Sequence, residues 1–90
     1  MNKARRKNIE KLIAEIQELQ GNMELLLEEA EDIMNDEEKY LESIPENLQS
    51  SERYEKAEAA FENLDGACNA LEEARDAMDD VVSYLEEAAE

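Results

Sequence analysis

Ninety residues carrying 26 acidic side chains, nine basic ones and no histidine give a formal net charge of −17, on a chain long enough for one ordinary domain and too short for two. With no Trp, one Phe, three Tyr, two Gly and one Pro, the chain lacks the aromatic and turn residues of sandwiches and barrels, and its Ala, Glu and Leu are the material of long helices. The lone Cys68 allows no intrachain disulfide, so nothing requires an oxidising compartment.

The chain opens on a basic tip. Residues 1–11 hold Lys3, Arg5, Arg6, Lys7 and Lys11 against the single acid Glu10, a net of +4 that leaves −21 on the remainder. Four roles compete for such a tip: a nucleic-acid arm, a membrane anchor, a targeting segment, or one half of an internal pairing scheme. Charge interrupts the following stretch "NIEKLIAEIQELQGN" at every turn, so neither a signal peptide nor a membrane span is expected, and the protein is placed in the cytoplasm. A body of this sign repels nucleic acid and anionic membranes and attracts basic protein surfaces.

Two blocks of heptads follow. In the first, Ile9, Ile16, Met23 and Ala30 fall at a and Leu12, Leu19, Leu26, Ile33 and Tyr40 at d, with Ile13, Leu27, Met34 and Leu41 adding an apolar e row. The segment "SIPENLQSS" breaks the pattern, because Pro45 disfavours helix at Ile44 and serine caps helices. Ser43 and Glu46 have capping-box spacing there, and the next helix is expected near Ser51 with Glu52 and Glu55 in its first turn. In the second block Tyr54, Phe61, Cys68 and Val82 fall at a, Ala57, Leu64, Leu71, Met78 and Leu85 at d, and Ala60, Ala67, Ala74, Val81 and Ala88 at g. The expected organisation is one all-α domain over 1–90, with helices over about 3–43 and 52–89 joined by a loop at about 44–51. Each helix should run near 60 Å at 1.5 Å per residue. A loop this short makes the helices antiparallel, a helical hairpin.

That geometry sets Lys3, Arg5, Arg6 and Lys7 beside Glu86, Glu87 and Glu90, so the tip is read as an electrostatic clasp, each cluster relieving the other's unfavourable placement on its own helix dipole. The alternative is a dedicated binding arm. With a and d in the seam, the e row of the first helix and the g row of the second are expected to open on opposite sides. Each helix then keeps an apolar flank, which pairing of two hairpins into a four-helix bundle, or docking on another protein, would cover. Leu25 and Tyr84, at c positions, are possible apolar contacts with such a partner, against the plainer reading of scattered exposed side chains.

No catalytic, cofactor or metal residue is assigned. Without histidine the usual general base is missing, Cys68 at an a position reads as a buried thiol, and the acid pairs lack an EF-hand loop or a Glu-x-x-His motif. Gly21 and Gly66, both at outward f positions, resemble no phosphate loop and read as sites of bending or of close approach by a partner. Arg75 interrupts the a row of the second helix. Gln20, Glu18 or Glu24 lies within its reach, and it reads as a register-fixing residue, the alternative being a ligand contact in a bundle cleft.

The acids are themselves patterned. Glu58, Asp65, Glu72, Asp79 and Glu86 fill every e position of the second helix, and Glu24, Glu28, Glu31 and Glu38 line the first. Spread along about 60 Å, the body's excess charge comes to roughly one per 3 Å, near the one per 3.4 Å of a single phosphate strand.

The loop "IPENLQSSERYEKAE", the start "MNKARRK" and the acidic heptads resemble a group of small acidic helical proteins carried by bacteriophages and prophages of Gram-positive bacteria. The resemblance implies a phage context, in which small acidic proteins block host defence or nucleic-acid enzymes by covering their basic grooves. Two functions are thus expected to compete. One is an inhibitor of DNA-mimic style whose nine named acids occupy a basic surface of a nucleic-acid-handling host protein. The other is a homo-oligomeric coiled-coil scaffold with no inhibitory activity.

Overall fold

A computed structural model describes residues 2–90; Met1, the first residue of the "MNKARRK" motif, lies outside the described residues. Helix α1 spans Lys3–Ser43, a short 3-10 turn covers Glu46–Leu48, and helix α2 spans Glu52–Ala88. The two long helices form one antiparallel hairpin of 69 × 16 × 13 Å. Its radius of gyration is 20.2 Å, against about 12 Å for a compact chain of this length.

Capping fixes where each helix starts. The side-chain oxygen of Asn2 accepts from the Arg5 amide at 2.8 Å, and the Ser51 hydroxyl accepts from the Tyr54 amide at 3.2 Å, so each satisfies one of the donors a helix start leaves unpaired. At the end of α1 the chain turns extended at Ile44, as the residue before a proline must. The expected capping box does not form there. Ser43 is the last residue of α1 and its hydroxyl donates back to the Tyr40 carbonyl at 2.6 Å, while Pro45, with no amide to offer, leads into the 3-10 turn without a side-chain cap. Arg53 closes the loop end, its Nε donating to the Tyr40 hydroxyl at 2.5 Å while the guanidinium lies over the Tyr40 ring.

Burial defines the seam. Along α2 the a and d rows turn inward as the heptads require, with Ala57, Cys68 and Val82 buried. Along α1 the inward rows are a and e: Ile9, Ile16, Met23 and Ala30 alternate with Ile13, Gln20, Leu27, Met34 and Leu41. Leu27, at e, is 4% exposed, whereas its neighbour Leu26, at d, is 53% exposed. The assignment of the α1 d row to the seam is therefore corrected. Ile13, Leu27, Met34 and Leu41 face α2, and Leu12, Leu19, Leu26 and Ile33 form the exposed flank.

The reason lies across the seam. Arg75 needs polar company, and the e row contains Gln20, whose amide donates to the Arg75 carbonyl at 3.2 Å and to Asp79 Oδ1 at 2.7 Å. Turning the e row inward also brings Glu24, in the adjoining b row, onto the guanidinium at 2.6 Å. With a and d inward, the Arg75 charge would have faced Leu19 and Met23.

The core is thin. Among the described residues only Leu27, Ala57, Cys68 and Val82 are buried and no side chain is wholly enclosed. The accessible surface is 6731 Å², against about 5,400 Å² for a compact protein of the same mass. Both glycines face open space and neither has a positive φ. Gly21→Ala and Gly66→Ala should therefore each stabilise the hairpin by about 1 kcal/mol, read as raised thermal midpoints. A lowered midpoint in either variant would show a strain that the open surroundings do not suggest.

Candidate functional site

Handedness decides which rows share a side. Around a right-handed helix at 100° per residue, an a/e seam on α1 leaves its d row about 80° to one side and its b row about 80° to the other. An a/d seam on α2 leaves its g row and its e row similarly placed. Running the helices antiparallel then puts the α1 b row with the α2 e row on one side of the hairpin, and the α1 d row with the α2 g row on the other. The apolar flanks thus open together, which corrects the expectation of opposite sides. Side-chain contacts agree, since Gln20 reaches Asp79 and Glu24 reaches Arg75 on the same side.

The first side is acidic. Glu24, Glu31 and Glu38 line it from α1, and Glu58, Asp65, Glu72, Asp79 and Glu86 from α2, all exposed. Glu28, at an f position, sits on the back of α1 and does not join them. Glu10 does join, in the same b row, which shows itself only once the seam is known. These nine carboxylates, Glu10 replacing Glu28, extend over about 42 Å, or one per roughly 5 Å.

Arg75 is the cation set into this face. Its guanidinium meets Glu24 at 2.6 Å, Asp76 at 3.1 Å and Glu72 at 3.7 Å. Glu24 and then Asp76, through hydrogen bonds to the charged form, push the guanidinium pKa further up, so Arg75 carries its charge throughout. Of the three side chains expected within its reach, Gln20 and Glu24 touch Arg75 and Glu18 does not. Arg75→Met should leave the thermal midpoint unchanged or slightly raised, because partly exposed ion pairs contribute about 1 kcal/mol or less and Met suits an a position. A fall in the midpoint of more than about 10 °C would show that the ion pairs hold the hairpin together.

Cys68 lies beneath the acid rows. Burial, followed by the charges of Glu31, Asp65 and Glu72, pushes the thiol pKa up, which keeps it protonated and a poor nucleophile. Among the described residues no group of three or more Cys, Asp or Glu is placed to hold a metal ion, and no helix is long and apolar enough to cross a membrane.

At the open end of the hairpin the clasp differs from its expected form. Arg6 alone reaches across, its Nε donating to the Ala89 carbonyl at 2.8 Å and a terminal nitrogen donating to the Glu90 backbone oxygen at 3.2 Å. Among the described residues, Lys3, Arg5, Arg6 and Lys7 make no ion pair with Glu86, Glu87 or Glu90. Carbonyls at the end of α2 present both a negative dipole end and unpaired acceptors in fixed positions, whereas the glutamate side chains remain solvated.

Opposite the acids lies an uncharged side, carrying Leu12, Leu19, Leu26 and Ile33 from α1 and Ala67, Ala74, Val81 and Ala88 from α2, all exposed. Tyr84, 74% exposed, stands at its outer edge on α2, while Leu25 points from the back of α1 and joins neither side. The signal for this face was present as three apolar rows in α1, one more than a two-helix seam uses. At the loop end a cleft of about 240 Å³ is bounded by Tyr40, Ile44, Pro45, Leu48 and Arg53. No protein family, curated protein or solved structure matches this chain.

Proposed function

We propose that the protein is a small binding module, not an enzyme, whose acidic face covers a basic, nucleic-acid-binding surface of another protein and excludes its nucleic acid. The observation that carries this reading is the gathering of carboxylates from both helices onto one side of the hairpin, with Arg75 the only base in their midst. At one charge per roughly 5 Å, the face is sparser than a phosphate strand with one per about 3.4 Å. It therefore acts as a charged cover more than as a copy of DNA in charge spacing. Such a surface speeds encounter with a basic partner and loses affinity as salt rises.

The loop and acidic heptads, in their resemblance to phage and prophage helical proteins, suggest that the partner is a defence or nucleic-acid enzyme of a Gram-positive host, met in its cytoplasm. The test is an affinity pull-down with tagged protein from a nuclease-treated lysate of such a bacterium, washed at low and at high salt. A basic nucleic-acid-handling protein that is released at high salt, and whose own nucleic acid competes with the hairpin, supports the reading. Recovery of the bait alone at both salts removes it.

A second reading is favoured by the uncharged face, which a binding module of purely electrostatic design does not need. In it, two hairpins pair into a four-helix bundle and the protein serves as a homo-oligomeric scaffold whose acids keep it in solution. The two are compatible when pairing uses one face and the target the other.

A further inference from the structure

Six of the eight large apolar side chains left exposed among the described residues lie on the uncharged side: Leu12, Leu19, Leu26, Ile33, Val81 and Tyr84. From Leu12 to Tyr40 the α1 d row has no charge, and from Ala60 to Ala88 neither does the α2 g row. In a chain with 26 acids, two adjoining uncharged rows over three heptads and more mark a surface kept dry by something.

We propose that a second copy of the chain packs on this face, related by a two-fold axis parallel to the helices, so that the leucine row of each α1 seats on the alanine-rich side of the other copy's α2. The proposal rests on the four-helix pairing of the second reading and specifies its surface and arrangement. The occupant follows from charge and from shape. A basic partner is drawn to the opposite side of the hairpin, and a second copy of an acidic chain can approach closely only where acids are absent. The face also has large side chains along one edge and small ones along the other, which makes it complementary to itself when turned about that axis.

Register supplies the sharper argument. Rotation about an axis parallel to the helices leaves every residue at its own height, so the register between copies is inherited from the hairpin. Gln20 is level with the stretch Arg75 to Asp79, which sets Leu19 level with about residue 78 and Leu26, one heptad on, level with about residue 71. Leu26 of one copy therefore meets Ala67, Ala70, Leu71 and Ala74 of the other, and Leu19 meets Ala74, Ala77, Met78 and Val81. Each set has the offsets i, i+3, i+4 and i+7 of a coiled-coil hole. Leu12 arrives level with Tyr84, which gives that exposed ring a neighbour. Setting large on small at every level keeps the helices evenly spaced, whereas the other two-fold arrangement, with loops at opposite ends, sets leucine on leucine and alanine on alanine. A side of 69 × 16 Å covered from end to end removes on the order of 1,000 Å² from each partner, enough for a stable interface at about 800 Å² a side.

Sedimentation of the full chain at micromolar concentrations tests the pairing, and circular dichroism follows the fold. The chain should sediment at twice its 10.3 kDa, and Leu19→Glu with Leu26→Glu should sediment as a single chain with its helix content kept, since both positions lie outside the seam. Ala67→Trp with Ala74→Trp, which fills the holes instead of charging the knobs, should do the same. A single chain in the unaltered protein, or a dimer that survives both variants, overturns the proposal. For the arrangement, a Leu26→Cys chain is mixed with an Ala70→Cys chain, each also carrying Cys68→Ala, and mildly oxidised. A disulfide between the two is expected, and a dimer that cannot form it overturns the parallel axis. Sedimentation needs no target, so its failure leaves the acidic-face reading standing, and a failed pull-down leaves the pairing standing.

Discussion

Leu27→Ala should lower the thermal midpoint by about 10–20 °C, while Leu26→Ala, one residue away, should move it by less than about 4 °C. The difference rests on burial, since Leu27 is 4% exposed and Leu26 is 53% exposed. Removing a buried leucine side chain costs about 2–3 kcal/mol even at the lower end of the usual range, because the transfer energy and the cavity add. A domain of this length has about 5–13 kcal/mol in total, and each 1 kcal/mol moves its midpoint by roughly 4–8 °C. The core has no reserve to absorb the loss, with four buried residues among those described. The comparison is made at dilutions where the midpoint no longer depends on concentration, so that Leu26 is judged as part of one hairpin. Equal losses, or a larger loss for Leu26→Ala, would mean that the seam runs along a and d of α1 after all.

Neutralising Asp65→Asn, Glu72→Gln and Asp79→Asn together should raise stability at low salt and weaken target binding by about tenfold or more. The three side chains follow one another at seven-residue spacing along the α2 e row and all are exposed. Each has a like charge three or four residues away, Glu62 for Asp65 and Asp76 for both Glu72 and Asp79; such pairs destabilise by a few tenths of a kcal/mol each, so relief of about 1 kcal/mol is expected, and it should vanish as salt screens the repulsion. Asn at position 79 keeps a carbonyl that can accept from Gln20, and Glu24 and Asp76 still hold Arg75, so the seam is preserved. Binding of a basic surface, in contrast, loses a third of the carboxylates on that face along with part of its salt dependence. A variant that excludes nucleic acid from the captured target as well as the parent does would rule the acidic face out as the binding surface.

These two results separate roles that composition confounds. In a chain where acids and apolar residues alternate through every heptad, solubility, folding and recognition all draw on the same rows. Only the choice of which rows face inward assigns each row its work. The uncharged side and the acidic side are products of one decision, the inward turn of the α1 e row.

How far the sequence reaches can be seen at particular residues. Two long antiparallel helices were legible because apolar periodicity, the cap at Ser51 and the break at Pro45 are local signals, each written within a few residues. The polar environment of Arg75 was half legible, Gln20 and Glu24 being within reach by register, although which row carried them inward was not. The α1 seam was illegible, since its a, d and e rows are all largely apolar and one helix alone gives no reason to prefer Leu26 to Leu27. That choice is made by α2, where the inward turn of the e row brings Glu24 onto the Arg75 guanidinium and Gln20 onto its backbone carbonyl. Likewise the basic tip announced a clasp, but the partner proved to be the backbone at Ala89 and Glu90, because seating on backbone carbonyls orders no further side chain, whereas pairing with the exposed glutamates would. Sequence by itself determined the helices and the hairpin, since both follow from periodicity and loop length. Tertiary structure decided the faces, because which of three equivalent apolar rows is buried depends on what stands opposite it.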